Sequence, residues 1–473
     1  MKNYTKLYIG GEWLASTGSE TLDVVNPANG EVIAKVPAAT TDDVDKAITA
    51  AKKAFADFSA TSSAQRAALI HQIADVMEAR KDELIHGIIS SMGCPLAFAD
   101  DIQVQGAIDS FRSFADLACE VDKQEQHESF VTVHEPIGVC VLINPWNYPL
   151  SQLVGKLGPA LAAGCTVVIK PAEQTPLQDL ILADIINQCG VPAGVVNVLT
   201  GVGRDIGEAL CSHSDVDMVS FTGSTQAGIK VAQAAAPSVK RVCQELGGKS
   251  PYIIAPGADL NAAVKYGVED IMINSGQTCS ALTRMLVPRD VLAEVEHIAL
   301  NLVSAWAPGD PLHPDTLMGP LSSKLQQQRV HGYIDAGINE GATLLCGGKE
   351  LPEHLKNGAY VMPTIFSNVT PDMTIAREEI FGPVLCIIPY ASLDEAIHIA
   401  NDTVYGLSSA VFAEDKDQAL DIAAQLKAGQ CLIQGAYFNT DAPFGGYKQS
   451  GNGREWGIEG LKEYTETKAI IFQ

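Results

Sequence analysis

Between residues 137 and 246, short apolar runs at 139–143, 166–169, 195–199 and 218–221 alternate with stretches of helical spacing. This alternation constrains the fold more than any other feature. Strands buried on both faces read as continuous apolar runs, and a parallel pair needs a crossover connection, usually a helix. The region therefore predicts β-α-β units and a parallel sheet, whose ligands bind in the crevice outside the carboxyl ends of the strands. A second α/β set follows, with strands expected at 252–255, 285–287, 384–388 and 430–433 and a last one at 469–472. Near the start, Leu7, Ile9 and Trp13 flank Gly10-Gly11, the pattern of a hairpin with a glycine turn. Apolar positions from Asp42 onward, behind the cap candidates Thr41 and Asp42, predict an amphipathic helix, and further helices are expected at 63–79 and 101–118. A polar segment at 120–129 breaks that pattern.

A chain of 473 residues is long for one compact domain, so two or three cores are expected. The formal charge of -24 repels a phosphate backbone, and no basic stripe offsets it, which argues against a nucleic-acid partner. Eleven cysteines without short paired spacings suit reduced thiols better than a disulfide framework or a metal cluster. No metal is expected. The first residues lack the apolar core of a signal peptide, and the apolar runs are too short to span a bilayer, so a soluble cytoplasmic protein without a membrane partner is expected.

Several segments could carry chemistry. Cys279, in Asn274-Ser275-Gly276-Gln277-Thr278-Cys279, is a candidate nucleophile, although a cysteine is more often a small buried apolar residue. Gly276 permits close approach of the backbone to a ligand. Pro145-Trp146-Asn147-Tyr148-Pro149 follows an apolar strand, and its asparagine could donate to an oxyanion or merely bond its own turn. Lys170 and Glu173 sit after the next strand, where they could meet ribose hydroxyls or lie solvated at a strand end. Two glycine sets compete for a phosphate cradle: Gly201, Gly203 and Gly207, and the set Gly223, Ser224 and Gly228. Residue patterns alone leave that choice open. Glu245 precedes Gly247-Gly248 and could activate water; the plainer reading is a surface glutamate before a turn. Glu379 and Phe381 pair an acid with a ring, and the glycine-rich stretch 443–455 reads as a functional loop.

Taken in order, these segments resemble the aldehyde dehydrogenase superfamily, from Tyr8-Ile9-Gly10-Gly11-Glu12-Trp13 to the carboxyl terminus. The resemblance implies an α/β, aldehyde dehydrogenase-like fold: a Rossmann-like NAD-binding domain from 1–119 and 137–247, a catalytic domain at 248–440, and a small β oligomerisation element from 120–136 and 460–473. It implies Cys279 as nucleophile, Glu245 as general base and Asn147 as oxyanion donor, with Lys156 and Glu455 relaying protons. For the cofactor it implies Lys170 and Glu173 at the adenosine ribose, Gly223 and Ser224 at the pyrophosphate, and Glu379 and Phe381 at the nicotinamide riboside. Trp146, Gly228 and Leu246 complete that groove, and Gly201 and Gly203 become the decoy. Glu173 favours NAD, with NADP as the alternative. Tyr148, Tyr437 and Phe438 are expected around the aldehyde, and Gly155 is expected to widen the entrance. The partners implied are a small aldehyde and further copies of the chain, as a homodimer or homotetramer.

The implied reaction is NAD-dependent oxidation of an aldehyde to an acid through a Cys279 thiohemiacetal and thioester. The alternatives are a coenzyme A-acylating semialdehyde dehydrogenase, a thiol esterase without a redox step, and a non-catalytic structural oligomer.

Overall fold

The structure is a computed structural model that describes residues 2–473. It contains two large α/β sheets and two small ones. In the first large sheet, five strands run parallel in the spatial order Arg241–Glu245, Met218–Thr222, Val139–Ile143, Thr166–Lys170 and Val196–Val198. Strand Val139–Ile143 has its sequence successor on one side and Met218–Thr222 on the other. The chain therefore reverses direction across the sheet there, which opens a crevice at the carboxyl ends of those two strands. The Lys6–Ile9 and Glu12–Ala15 hairpin extends the sheet at one edge, and both of its turn glycines have positive φ.

The second large sheet has the order Thr343–Cys346, Thr364–Ser367, Val384–Tyr390, Arg284–Pro288, Pro251–Ile254, Ser408–Phe412 and Gln430–Ile433, all parallel except the first. A third sheet pairs Thr465–Ile471 with Phe130–Pro136 over seven residues and adds Glu125–Gln126. The expected strand at 469–472 is thus longer and begins earlier. A fourth sheet joins Lys2–Asn3, Val32–Pro37 and Thr21–Val25.

The helices follow from their caps. Helix Thr41–Ser59 is capped by Thr40, whose hydroxyl accepts from the Asp43 amide while the Asp43 carboxylate accepts from the Thr40 amide. The cap is therefore one residue before the expected pair, because the reciprocal bonds need that spacing. The stretch expected as one helix at 101–118 is a π-helix, Ala99–Gln105, continued by Gly106–Leu117. Helix Pro149–Ala163 is buried almost throughout, and a Cβ on its Gly158 would stand 2.4 Å from the Phe114 ring, so the two helices cross at close range.

The end of the chain does not stay with one layer. Gly451–Asn452 returns to the first sheet beside Arg241–Glu245, with Gly451 at φ 127° and a Cβ there only 1.9 Å from the Gln244 carbonyl oxygen. Leu461 and Tyr464, which the sequence reading groups with the oligomerisation tail, are buried in the core beneath the first sheet. Among the described residues, no helix is long and apolar enough to cross a membrane.

Candidate active site

A cleft of about 660 Å³ lies outside the carboxyl ends of Val139–Ile143 and Met218–Thr222, and residues of the second α/β unit close its other side. From the first sheet come Pro145, Trp146, Asn147, Gly223, Ser224, Leu246 and Gly247; opposite them stand Cys279, Glu379 and Phe381.

Cys279 is half-buried at the inner end of the cleft. It is held by a backbone that few sequences tolerate: Asn274 and Ser275 have φ near 54° and 56°, and a Cβ on Gly276 would meet the Gly382 carbonyl oxygen at 2.2 Å. Asn147 ties this loop to the first sheet by donating from Nδ2 to the Gln277 carbonyl at 2.9 Å. The carbonyl of Asn147 in turn accepts from the Gln103 and Asn274 side chains, at 2.9 and 3.0 Å. A second link joins the Tyr148 hydroxyl to that of Thr278 at 2.7 Å. Burial, then the charges of Glu379 and Glu245, pushes the Cys279 thiol up to about 12, so in the absence of a positive group it is protonated at neutral pH.

Glu245 ends strand Arg241–Glu245, and both of its carboxylate oxygens are buried without a hydrogen-bond partner. Burial, reinforced by the neighbouring Glu455, holds its carboxyl well above the usual range, while Lys156 and Arg454 pull the other way. Lys156 donates to the Thr222 hydroxyl at 2.7 Å and pairs with Glu455 at 2.8 Å, both fully enclosed. Three buried titratable groups therefore meet near the thiol, where Glu245 and Glu455 act on it through their charge.

The outer cleft contains donors that suit an extended anionic ligand. Ser224 caps helix Thr225–Ala235, presenting its amides and the positive helix end beside Gly223. Glu379 accepts from the Gly248 amide at 2.9 Å, and a Cβ on Gly247 would strike its carboxylate at 2.5 Å. Phe381, at φ 58°, turns its ring edge-on to Trp146 at 5.3 Å. These residues suit a dinucleotide: a helix end for a phosphate and aromatic rings for a flat heterocycle.

Other sequence candidates lie outside this cleft. Lys170 is buried at the end of its strand, bonding the Pro171 carbonyl, with Glu173 at 3.7 Å. Glu173 lines a separate open cavity of about 450 Å³ with Ser323, Lys324 and Asn357. Gly228 packs beneath Leu246, where a Cβ would stand 2.6 Å from the leucine, and so shapes the wall without facing the ligand. Phe438 meets the rings of Phe444 and Trp456 edge-on. Tyr437 does not join them: it is 76% exposed and rests on Tyr266, because consecutive side chains leave opposite sides of this irregular segment. Gly155 opens no entrance either, since the indole of Trp456 fills the space beside it.

Sequence reasoning missed Gln103, Gln277 as an anchor, Thr222 and Trp456. Gln277 lies inside the quoted cysteine segment and could have been found there. Gln103 lies on a π-helix that no local pattern announced.

Known proteins resemble this chain in sequence and in fold. The profile of the aldehyde dehydrogenase family matches residues 13–470. A 3-succinoylsemialdehyde-pyridine dehydrogenase from Pseudomonas sp. is 47% identical over 472 residues, covering 100% of this chain and 99% of that protein. A mutant of aldehyde dehydrogenase C from Pseudomonas syringae, solved with NAD+ and octanal, is 48% identical with a TM-score of 0.97 over 99% of this chain and 96% of that one. The Mycobacterium tuberculosis aldehyde dehydrogenase solved with NAD+ is 41% identical, with a TM-score of 0.97, covering 100% and 99% of the two chains. Matched from end to end in sequence and in fold, the chain belongs to the aldehyde dehydrogenase family.

Proposed function

We propose that the protein oxidises an aldehyde to the carboxylic acid with NAD, through covalent chemistry at Cys279. The observation that carries the reading is the meeting of the Cys279 loop with Asn147 and the Ser224 helix end in one cleft. When bound, NAD accepts the hydride released from the substrate carbon.

The residues of the chain supply the rest. The Cys279 thiol gives its proton to solvent in the open cleft, its sulfur adds to the aldehyde carbon, and Asn147 Nδ2, with the backbone amide of Cys279, donates to the oxygen that becomes negative. Loss of hydride leaves a thioester on Cys279. Glu245 takes a proton from the water that cleaves it, and the cleavage returns the sulfur and releases the acid. The high affinity of buried Glu245 for a proton suits a base, and the Lys156 and Glu455 pair is positioned to pass that proton on. Glu379 orients the ribose; an adenosine end that runs on from the cleft toward the cavity lined by Glu173 would meet Lys170 and Glu173, and a carboxylate there disfavours a 2′-phosphate and so favours NAD over NADP.

Chain 465–471 is an edge strand whose neighbouring apolar side chains Ile470, Ile471 and Phe472 are 47%, 78% and 46% exposed. Such an edge supports assembly into a homodimer or homotetramer through the third sheet. The many reduced thiols support a cytoplasmic setting.

The test is NADH formation from an aldehyde by the wild type and by Cys279→Ala. Dehydrogenation is expected from the first and none from the second, while both bind NAD; NADH production by Cys279→Ala would overturn the covalent route.

A further inference from the structure

Gly155 and Trp456 form a complementary pair. A Cβ built on Gly155 would stand 2.9 Å from Cζ2 of the indole and 3.2 Å from Cε2, so the ring occupies the notch that the missing side chain leaves. Trp456 holds it there from a backbone at φ 67°, a conformation that a bulky residue keeps only when its surroundings enforce it. The enforcement is visible. On one side, Glu455 and Phe444 exchange two backbone hydrogen bonds, at 2.7 and 2.8 Å; on the other, Gly457 is at φ 55° with no room for a Cβ beside the Asp441 carbonyl.

The indole is only 4% exposed. It stacks on Phe114 at 5.8 Å and 22° and meets Phe438 edge-on at 5.8 Å. Leu407, Phe444 and Leu117 complete this small apolar cluster, and Cys279 packs against it. In the cleft Cys279 is accompanied by Trp146, Leu246, Glu379 and Phe381, the residues assigned to the dinucleotide, which leaves this apolar cluster as the surface for a tail attached to the reacting carbon. The side chains of this wall are aromatic and aliphatic, which favours an apolar tail over one that must give up its hydration.

We propose that Trp456, seated in the Gly155 notch, is the specificity-determining wall of the aldehyde pocket, and that it selects uncharged substrates with a slim, unbranched apolar tail. This rests on the reading of Cys279 as nucleophile and adds to it the residue that discriminates among tails. Phe438, at the exposed end of the cluster, marks where the tail leaves the protein.

The test compares kcat/KM for hexanal, cyclohexanecarboxaldehyde and betaine aldehyde in the wild type, in Trp456→Leu, and in the exchange variant Gly155→Trp/Trp456→Leu. The wild type should prefer hexanal to both others. Trp456→Leu should shift the ratio toward the cyclohexyl substrate by about tenfold or more, tenfold being the low end of what a single methylene of pocket space is worth, with the KM for NAD unchanged. The exchange variant should restore discrimination by returning a ring to the notch. A ratio unmoved by Trp456→Leu, or an equal fall for every substrate together with a weakened KM for NAD, would overturn the proposal and mark the indole as structural. Preference of the wild type for betaine aldehyde over hexanal would overturn the apolar part. Activity surviving in Cys279→Ala would instead defeat the underlying nucleophile reading, whatever the ratios.

Discussion

Asn147→Ala separates an oxyanion donor from a structural prop, and the geometry sets the size of each effect. The amide Nδ2 has two hydrogens. One goes to the Gln277 carbonyl at 2.9 Å, and the other is free for the substrate oxygen. Loss of the first removes a neutral hydrogen bond, a net contribution of about 1 kcal/mol. It does not orphan the acceptor, since the Asn274 side chain also donates to the Gln277 carbonyl at 3.3 Å. Loss of the second removes a preorganised donor from a buried site, which costs about 2.7–4 kcal/mol, or roughly 10²–10³ in kcat. Loss of the oxyanion donor should therefore dominate. The assay is steady-state kcat at saturating aldehyde and NAD, run beside the rate at which iodoacetamide alkylates Cys279 in the free enzyme. A fall of two to three decades in kcat with near-normal alkylation is the expected outcome. A fall smaller than about tenfold would refute the donor role. A matched loss of alkylation would show that the amide only holds the loop.

Glu245→Gln should leave a rapid burst of NADH and slow the turnover that follows, because the base acts only after the hydride has left; stopped-flow traces without a burst, or with normal steady turnover, would contradict this. The Cys279 thiol, held up to about 12 chiefly by burial, should be alkylated faster as pH rises, since the thiolate fraction grows until pH passes the pKa; a plateau below pH 8 in free enzyme would contradict the burial argument. Glu455→Gln removes a negative neighbour that raises Glu245 and frees the cation of Lys156, which lowers it. Both changes favour the Glu245 carboxylate, so the acidic limb of the deacylation profile should move to lower pH, and an upward move would reverse the sign. The same variant breaks a buried ion pair and should lose about 3–5 kcal/mol of stability in thermal or denaturant unfolding.

Much of the site was legible because its parts are local. Strand-to-helix turns announce themselves through apolar runs followed by glycine, so the Gly223-Ser224 turn and the Cys279 loop could be picked out from neighbours in sequence. Even so, choosing between the two glycine sets required the family resemblance, since each is locally plausible. What escaped was long-range. Gln103 reaches Asn147 from a helix whose π geometry depends on tertiary packing. Gly155 looked like an opening because a missing side chain has no signature of what fills it, and Trp456 lies far along the chain. Tyr437 and Phe438 were equivalent as aromatic neighbours until the backbone turned them apart. Gly451–Asn452 is too short for any periodicity to predict its return to the first sheet.

The consecutive residues Gly155-Lys156 face Trp456 and Glu455, one contact made of ring and void, the next of opposite charges. Any drift that reshapes the first contact drags on the second, because both ride on the same two stretches of main chain. Diversification of tail preference in this lineage should accordingly proceed by coordinated exchanges at both ends of the contact, and lone replacements there should exact a toll on turnover even for aldehydes small enough never to reach the indole.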